Sequence, residues 1–492
     1  MTIRATPPEI QSEICVLGGG PAGAAMARGL AELGHKTLLV DRGGQRSLPC
    51  AESLAPSILP ILDSLRLRSL IEAAVFRSES RGLLLWEAGG VQEKRFDHGP
   101  SLLIERTRFD RLLREAAVGA GADVMATAIA RAPRRLPSGG WRIPVETSSG
   151  TSVVHAKFLV DARGRHRRGR LRQDSSRTAV ISAAWEMAER CFPETRIEAG
   201  TDAWFWGSPL PGSAYAATIF VDSQRIAGLG GHGRTQLYSD LLARTELLRD
   251  LLQCQMIVPP RVRDATSGIS GELIGNDFIR VGEAAVSLDP LASQGIQRAI
   301  LSAIQGTAAV HTLLTAGHAH AAALQFYRER QQTAAVKARH HAARFYALRA
   351  HGAVTPFWTS RSLPAEDRIL PAEGLAIEKT RQSRSGDALP QCLRPSPDLC
   401  VITVPVLAGS LVRQGLALSH PALEEPVAYA GGVALAPLVA DADTASTTEQ
   451  IIERWSHHMA PSVARGIVAW MYAAGLLVEQ SAARVDPSIG RN

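Results

Sequence analysis

Residues 14–42, ICVLGGGPAGAAMARGLAELGHKTLLVDR, constrain the fold more than any other stretch of the chain. An apolar run, Ile14 to Leu17, meets Gly18-x-Gly20-x-x-Gly23. A small-residue helical segment follows, and a second apolar run, Thr37 to Val40, ends at Asp41. Strand, glycine loop, helix, strand and acid in this order predict one βαβ unit with a dinucleotide-binding fingerprint. Gly18 permits the tight turn, Gly20 admits a pyrophosphate to the backbone, and Gly23 lets helix and strand pack closely. Pro21 and Ala22 open the helix, whose free N–H groups and positive dipole end suit phosphate. Asp41, 18 residues beyond Gly23, stands where a ribose-binding carboxylate is expected, with Arg42 beside it. The motif alone does not separate NAD from FAD.

The 492 residues suffice for two to four domains. No run of 18 apolar residues predicts a membrane span, and MTIRATPPEIQSE lacks the apolar core of a secretory signal, so a cytoplasmic protein is expected. The cysteines, at 15, 50, 191, 254, 392 and 400, form no CxxC pair, which leaves zinc and dithiol chemistry unsupported. Much of the net charge of +7 lies in RGRHRRGRLR, residues 163–172. A solvated basic loop and a docking patch for an acidic partner compete for this run. Nucleic acid is disfavoured because no nucleic-acid motif accompanies it.

Alternating strands and amphipathic helices give residues 1–345 an α/β reading: a Rossmann-like domain with a β-rich insert at about 179–265 and long helices after 297. Residues 346–400 read as a helix end and linker. Residues 401–492 end in two helices and a short strand, a small winged-helix-like domain without a basic recognition helix.

Four further segments resemble the flavin-dependent monooxygenase and halogenase superfamily. LPCAESLAP (48–56) is similar to its G-E-S-L segment, with Ala51 in place of glycine, and this sets Glu52 and Ser53 beside the flavin. IERTRFDRLLREAA (104–117) resembles the R-x-x-F-D-x-x-L helix start, in which Arg106 contacts FAD. FLVDARGR (158–165) resembles a strand end in which Asp161 precedes Gly164 and the glycine allows close approach. RVGEAAVSLDPLASQGIQRAI (280–300) resembles the second FAD fingerprint: Gly282, Glu283 replacing the usual Asp, Asp289-Pro290, then Ser293, Gln294, Gly295 and Ile296 at a helix start. The resemblance implies FAD as cofactor, and helix N–H donors aimed at its pyrimidine end would stabilise the reduced form.

WFWGSPLP (204–211) is similar to the W-x-W-x-x-P signature of tryptophan halogenases, and Trp204 and Trp206 alternate onto one strand face, as a substrate pocket wall or as core. The halogenating lysine and glutamate of that branch have no counterparts: RSESRGLLLW (77–86) holds no lysine, Lys94 sits in a charged turn, and Ala292 occupies the glutamate position. The chain resembles more the branch that matures tryptophylquinone cofactors. That implies a monooxygenase hydroxylating a tryptophan in a protein substrate such as the small subunit of an amine dehydrogenase, with an external electron donor. Glu52, His98 and His232 are the candidate bases. The rival readings are an FAD oxidoreductase or hydroxylase of a small aromatic or lipid metabolite, a halogenase, and a flavin-binding regulator.

Overall fold

The computed structural model describes residues 8–43, 51–87, 89–95, 99–166, 171–173, 176–187, 194–350, 355–362, 389–443 and 447–479. The chain forms two compact units, Met1–Leu363 and Pro364–Asn492.

In chain order the principal elements of the first unit are β1 (Glu9–Leu17), α1 (Pro21–Glu32), β2 (Thr37–Val40), β3 (Ala51–Leu54), β4 (Val75–Glu79), β5 (Arg81–Leu85), β6 (Gln92–Arg95), β7 (Ser101–Glu105), α2 (Arg106–Gly119) and β8 (Asp123–Met125). They continue with β9 (Trp141–Thr147), β10 (Gly150–Asp161), β11 (Thr178–Glu186), β12 (Arg196–Ala199), β13 (Ala203–Leu210), β14 (Ala214–Asp222), α3 (Gly231–Leu242), β15 (Gln255–Asp264), β16 (Phe278–Arg280), α4 (Gly295–Thr315) and α5 (His320–Ala350).

The βαβ unit is present. β1 and β2 are buried on both faces over Ile14–Leu17 and Thr37–Val40, as parallel strands covered by helices must be. Parallel neighbours run β16-β10-β1-β2-β8, with Leu17 opposite Val40 and Asp161, and Asp161 opposite Arg280. From β1 the chain crosses to β2 on one side, while β10 and β16 lie on the other. The strand order therefore reverses between β1 and β10, and their carboxyl ends open the crevice where such sheets bind ligands.

A second sheet has the order β15-β11-β14-β13-β12-β5-β6. β5 and β6, which the sequence left outside the β-rich insert, complete it, with β5 pairing parallel to β12 (Leu84 opposite Ile197). Period-two alternation sorts its side chains. Ile181, Trp185, Phe205, Tyr215 and Ile219 face one way and are covered by Tyr238, Leu241 and Leu242 of α3. Trp86, Trp204 and Phe220 face the other, packing with Tyr346 of α5 and with Phe357 and Trp358. A small antiparallel sheet, β3-β7-β4, carries the A-E-S-L segment. Gly228–Gly233, a turn by sequence, leads directly into α3: Gly231 to Gly233 form its first turn.

In the second unit the expected pair of helices is present at Thr448–Ser456 and Pro461–Ala473, followed by a strand, Leu477–Glu479. A third helix, Leu435–Asp443, precedes them, and Leu393–Pro395, read from sequence as linker, pairs with the last strand. Leu393, Trp455, Val468 and Met471 share its core. Residues 351–354 and 363–388 of the expected helix end and linker lie outside the described residues.

Candidate functional site

The glycine loop is packed so closely that each contact dictates its residue. A Cβ on Gly18 would sit 2.6 Å from the Ala162 carbonyl oxygen, and the φ of Gly18 is +103°. A Cβ on Gly23 would sit 1.9 Å from the Gly18 oxygen. Gly20 is different: nothing in the protein lies within 4 Å of where its Cβ would be. It precedes α1, which has no side-chain cap and no acid in its first turn. An uncapped helix start beneath open space is a cradle of the kind a pyrophosphate fills. Asp41 accepts the Gly19 N–H at 3.1 Å and pairs with Arg114 at 3.3 Å; Arg114 also donates to the Gly19 oxygen. Arg114 thus fixes the carboxylate, a role no motif announced. Arg42 is exposed.

Across the crevice, Asp161 takes two bonds from Arg163, each 2.8 Å. Burial pushes the Asp161 carboxyl up, but the Arg163 bonds outweigh it and hold the carboxyl below its ordinary range. A depressed folded-state value gives stability that is complete above the unfolded value near 4 and is lost as pH falls through the lower folded value. Arg163→Leu is expected to cost about 3 kcal/mol at pH 7 by stranding this carboxylate. In parallel urea titrations the deficit should shrink below about pH 4; a deficit that does not change with pH would assign Arg163 a packing role instead.

Glu283 meets Arg165 at 2.8 Å, and Arg165 also donates to the Thr266 and Leu288 oxygens. Arg163 and Arg165 are therefore internal ties, and neither belongs to a free basic docking patch. Residues 167–170 of that run lie outside the described residues. Gly164 and Gly282 both have positive φ, and a Cβ on Gly282 would meet the Ala22 methyl at 2.7 Å, so the second fingerprint packs directly onto the first.

Asp289 is buried and accepts from the Leu291 N–H at 3.0 Å and from the Tyr346 hydroxyl at 3.2 Å. Burial raises its carboxyl. Pro290 then turns the chain, Ser293 takes a left-handed φ of +50°, and α4 starts at Gly295 without a side-chain cap. Ser293, Gln294 and Gly295 are exposed. The Ile296 side chain is not: it packs with Leu54 and Phe109, so only its backbone can serve a ligand.

Arg106 sits between Glu52 at 2.6 Å and Asp110 at 2.8 Å, a half-buried triad that joins β3 to α2. The Ser53 hydroxyl meets that of Ser101 at 2.5 Å. Trp204 is 4% exposed and stacks on Phe220 at 3.6 Å, with Trp86 at its edge. Its indole N–H is buried, adjoining the Tyr346 hydroxyl without meeting hydrogen-bond geometry. The structure thus sets Trp204 in the core and leaves Trp206, half-buried, as the more available of the two. His232 is exposed on α3, which covers the opposite face of the sheet from Trp204. His98 lies outside the described residues.

A cavity of about 1080 Å³ between Ile269–Phe278 and Leu324–Arg339 holds none of the motif residues. Among the described residues no cluster of His, Cys, Asp and Glu could hold a metal ion, and no helix is long and apolar enough to cross a membrane.

The sequence profile of the tryptophan halogenase family matches residues 92–379. A tryptophan 2-halogenase of Chondromyces crocatus is 28% identical over 382 residues, covering 72% of this chain and 72% of the relative. A putative FAD-dependent oxidoreductase, LodB, of Marinomonas mediterranea is 26% identical over 310 residues, 60% of this chain and 83% of its own length. Among solved structures, the peptidyl tryptophan dihydroxylase QhpG, essential for tryptophylquinone cofactor biogenesis, superposes with a TM-score of 0.71 at 25% identity, covering 95% of this chain and all of QhpG. The flavin-dependent halogenase CmlS superposes at 0.73 with 19% identity over 95% of this chain and 96% of its own, a likeness of fold.

Proposed function

The chain belongs to the tryptophan halogenase family and binds FAD, and from this premise we propose that it is a monooxygenase hydroxylating a tryptophan residue in a protein substrate. The observation that carries the reading is the residue at position 292. In the P-L-A-S-Q-G turn beside the α4 start, where the halogenating glutamate is expected, stands Ala292, a buried methyl. The only lysine near the other halogenating position, Lys94, is exposed on β6. The likeness to QhpG, end to end in that protein, supports an aromatic ring presented by a polypeptide.

Bound FAD, reduced by an external donor, supplies the activation of O2. The chain's residues do the rest. The α1 start and Gly18–Gly23 would hold the pyrophosphate, Asp41 the ribose and Glu283 the ribityl hydroxyls, with Gly164 allowing close approach on the adenosine side. Backbone donors at Ser293–Gly295 hold the pyrimidine end. Trp206 and the face of β13 it shares line the path of the substrate ring.

The test is a mass spectrum of a tryptophan-containing protein substrate, the crosslinked small subunit of an amine dehydrogenase, after incubation with enzyme, reductant, O2 and bromide. A gain of one or two oxygen masses on a tryptophan is expected. A bromine isotope pattern would instead make the chain a halogenase, and oxygenation confined to free small aromatics would make it a metabolite hydroxylase.

A further inference from the structure

The cavity of about 1080 Å³ beside α5 lies apart from the flavin crevice. Phe278, which lines it, is the first residue of β16, so the cavity adjoins the amino ends of the parallel strands, whereas the crevice opens at their carboxyl ends. One wall is a stripe of α5. Leu324, Arg328, Gln332, Ala335, Val336 and Arg339 fall at i, i+4, i+8, i+11, i+12 and i+15, a single helical face. The facing wall is the segment Ile269–Phe278, and its shape is fixed by the protein itself. The Gly275 N–H donates to the Phe278 oxygen and the Arg280 N–H to the Leu273 oxygen, each at 2.8 Å, and the Arg328 guanidinium donates to the Ile274 oxygen at 3.2 Å. Leu273 and Ile274 are buried and Phe278 is half-buried, whereas Val336 is 54% exposed.

The charges of the lining do not cancel. Asp277 is met by Arg135 at 2.5 Å, and that guanidinium also lies over the Trp141 ring. Glu272 faces Arg280 at 4.0 Å. These two pairs account for both acids of the lining. Arg328 and Arg339 are exposed, and among the described residues neither meets a carboxylate. They stand 11 residues apart on α5, about 16 Å along its axis, with Ala335 and Val336 between them. The result is an apolar patch set between two cations, one of them already oriented by its bond to Ile274. Such preorganisation lowers the cost of binding an anion.

Shape and charge together select the occupant. A small ligand is buried over most of its surface, and a cavity whose Arg328, Gln332, Val336 and Arg339 are all exposed does not enclose one. An extended polypeptide needs only one face covered. It advances about 3.3 Å per residue and repeats its face every second residue, so acids four positions apart share a face about 13 Å apart. The arginine side chains reach across the remainder. Resting on the reading that the substrate is a protein, we propose that this groove docks an extended acidic segment of that substrate. Two carboxylates meet Arg328 and Arg339, and an apolar side chain between them lies against Val336. A different part of the same polypeptide carries the tryptophan to the flavin, so the groove contributes to KM and not to kcat.

The experiment titrates the holoenzyme into a fluorescein-labelled peptide containing Asp-Ser-Leu-Ser-Asp and follows anisotropy. Saturable binding is expected. It should weaken about 10-fold in Arg339→Glu, in Val336→Asp, and when both peptide acids are replaced by Asn. Val336 and Arg339 are exposed, so melting temperature and FAD content of these variants should match the wild type. They carry the test even if Arg328→Glu, which loses its bond to Ile274, does not fold. No binding, equal binding of the Asn peptide, or equal binding by the variants overturns the proposal. A short single-stranded DNA that competes more strongly than the acidic peptide also overturns it and makes the groove a nucleic-acid site. The two readings fail separately. Peptide docking as expected, with no oxygen gained by any protein tryptophan, defeats the monooxygenase reading and keeps the acidic-peptide groove. Oxygenation of a protein tryptophan with the same KM in Arg339→Glu as in the wild type does the reverse.

Discussion

Protein carrying Gly23→Ala is expected to purify without its yellow colour. The new methyl would stand 1.9 Å from the Gly18 carbonyl oxygen and 2.9 Å from the Ala162 methyl. The first of these is backbone, so no side chain can rotate away and the loop itself must lift from α1. Gly18 cannot absorb the movement, because its own backbone is held against Ala162 at positive φ. Overpacking of this kind costs about 1–3 kcal/mol, and charged to flavin binding that is roughly a 5- to 150-fold loss of affinity. Gly20→Ala separates the causes. Its methyl meets nothing in the protein, so folding should be untouched and only a bound pyrophosphate should be crowded. Flavin-to-protein absorbance ratios and melting temperatures measured together decide the matter. Stoichiometric flavin in both variants would dismiss this loop as the phosphate cradle.

Arg106→Ala is expected to be the most destabilising single change near the site. Its guanidinium is 11% exposed and answers two carboxylates, one 54 residues upstream on β3 and one a helical turn ahead. Removing it leaves both acids confronting each other in a poorly solvated seam, at about 3–5 kcal/mol. The compensating variant Glu52→Gln/Arg106→Met/Asp110→Asn removes every charge and should recover most of the stability, since an uncharged replacement of a buried network is often neutral. Denaturant midpoints test this. If stability returns but flavin affinity does not, Arg106 also touches the cofactor, as its motif implies; if both return, it is a tie between β3 and α2.

What could be read from the chain beforehand follows from the range of the interactions. The Gly18–Asp41 unit was legible because its constraint is local: a turn, a helix start and a strand within 30 residues. The Asp289–Gly295 turn was legible for the same reason. Arg106 was recognisable as a site residue, but its partner Glu52 is a fact of tertiary pairing, set by Ala51–Glu105 register across β3 and β7. Within the basic run, composition counts Arg163 and Arg165 as surface charge, whereas Asp161 and Glu283 consume these two internally. The glycines around His232 suggested a turn, and the fold instead sets it on the exposed face of a helix.

The parallel pairing of β5 with β12 has a practical consequence for anyone building chimaeras from this enzyme. A donor cassette cut at residues 178–264 would carry β12 as a raw edge, its Arg196–Glu198 backbone groups unmatched and Ile197 stripped of Leu84. Edges of that kind template intermolecular pairing. Swapping specificity between relatives therefore calls for a split cassette, 81–95 exchanged together with 178–264, so that the recipient scaffold inherits a finished sheet.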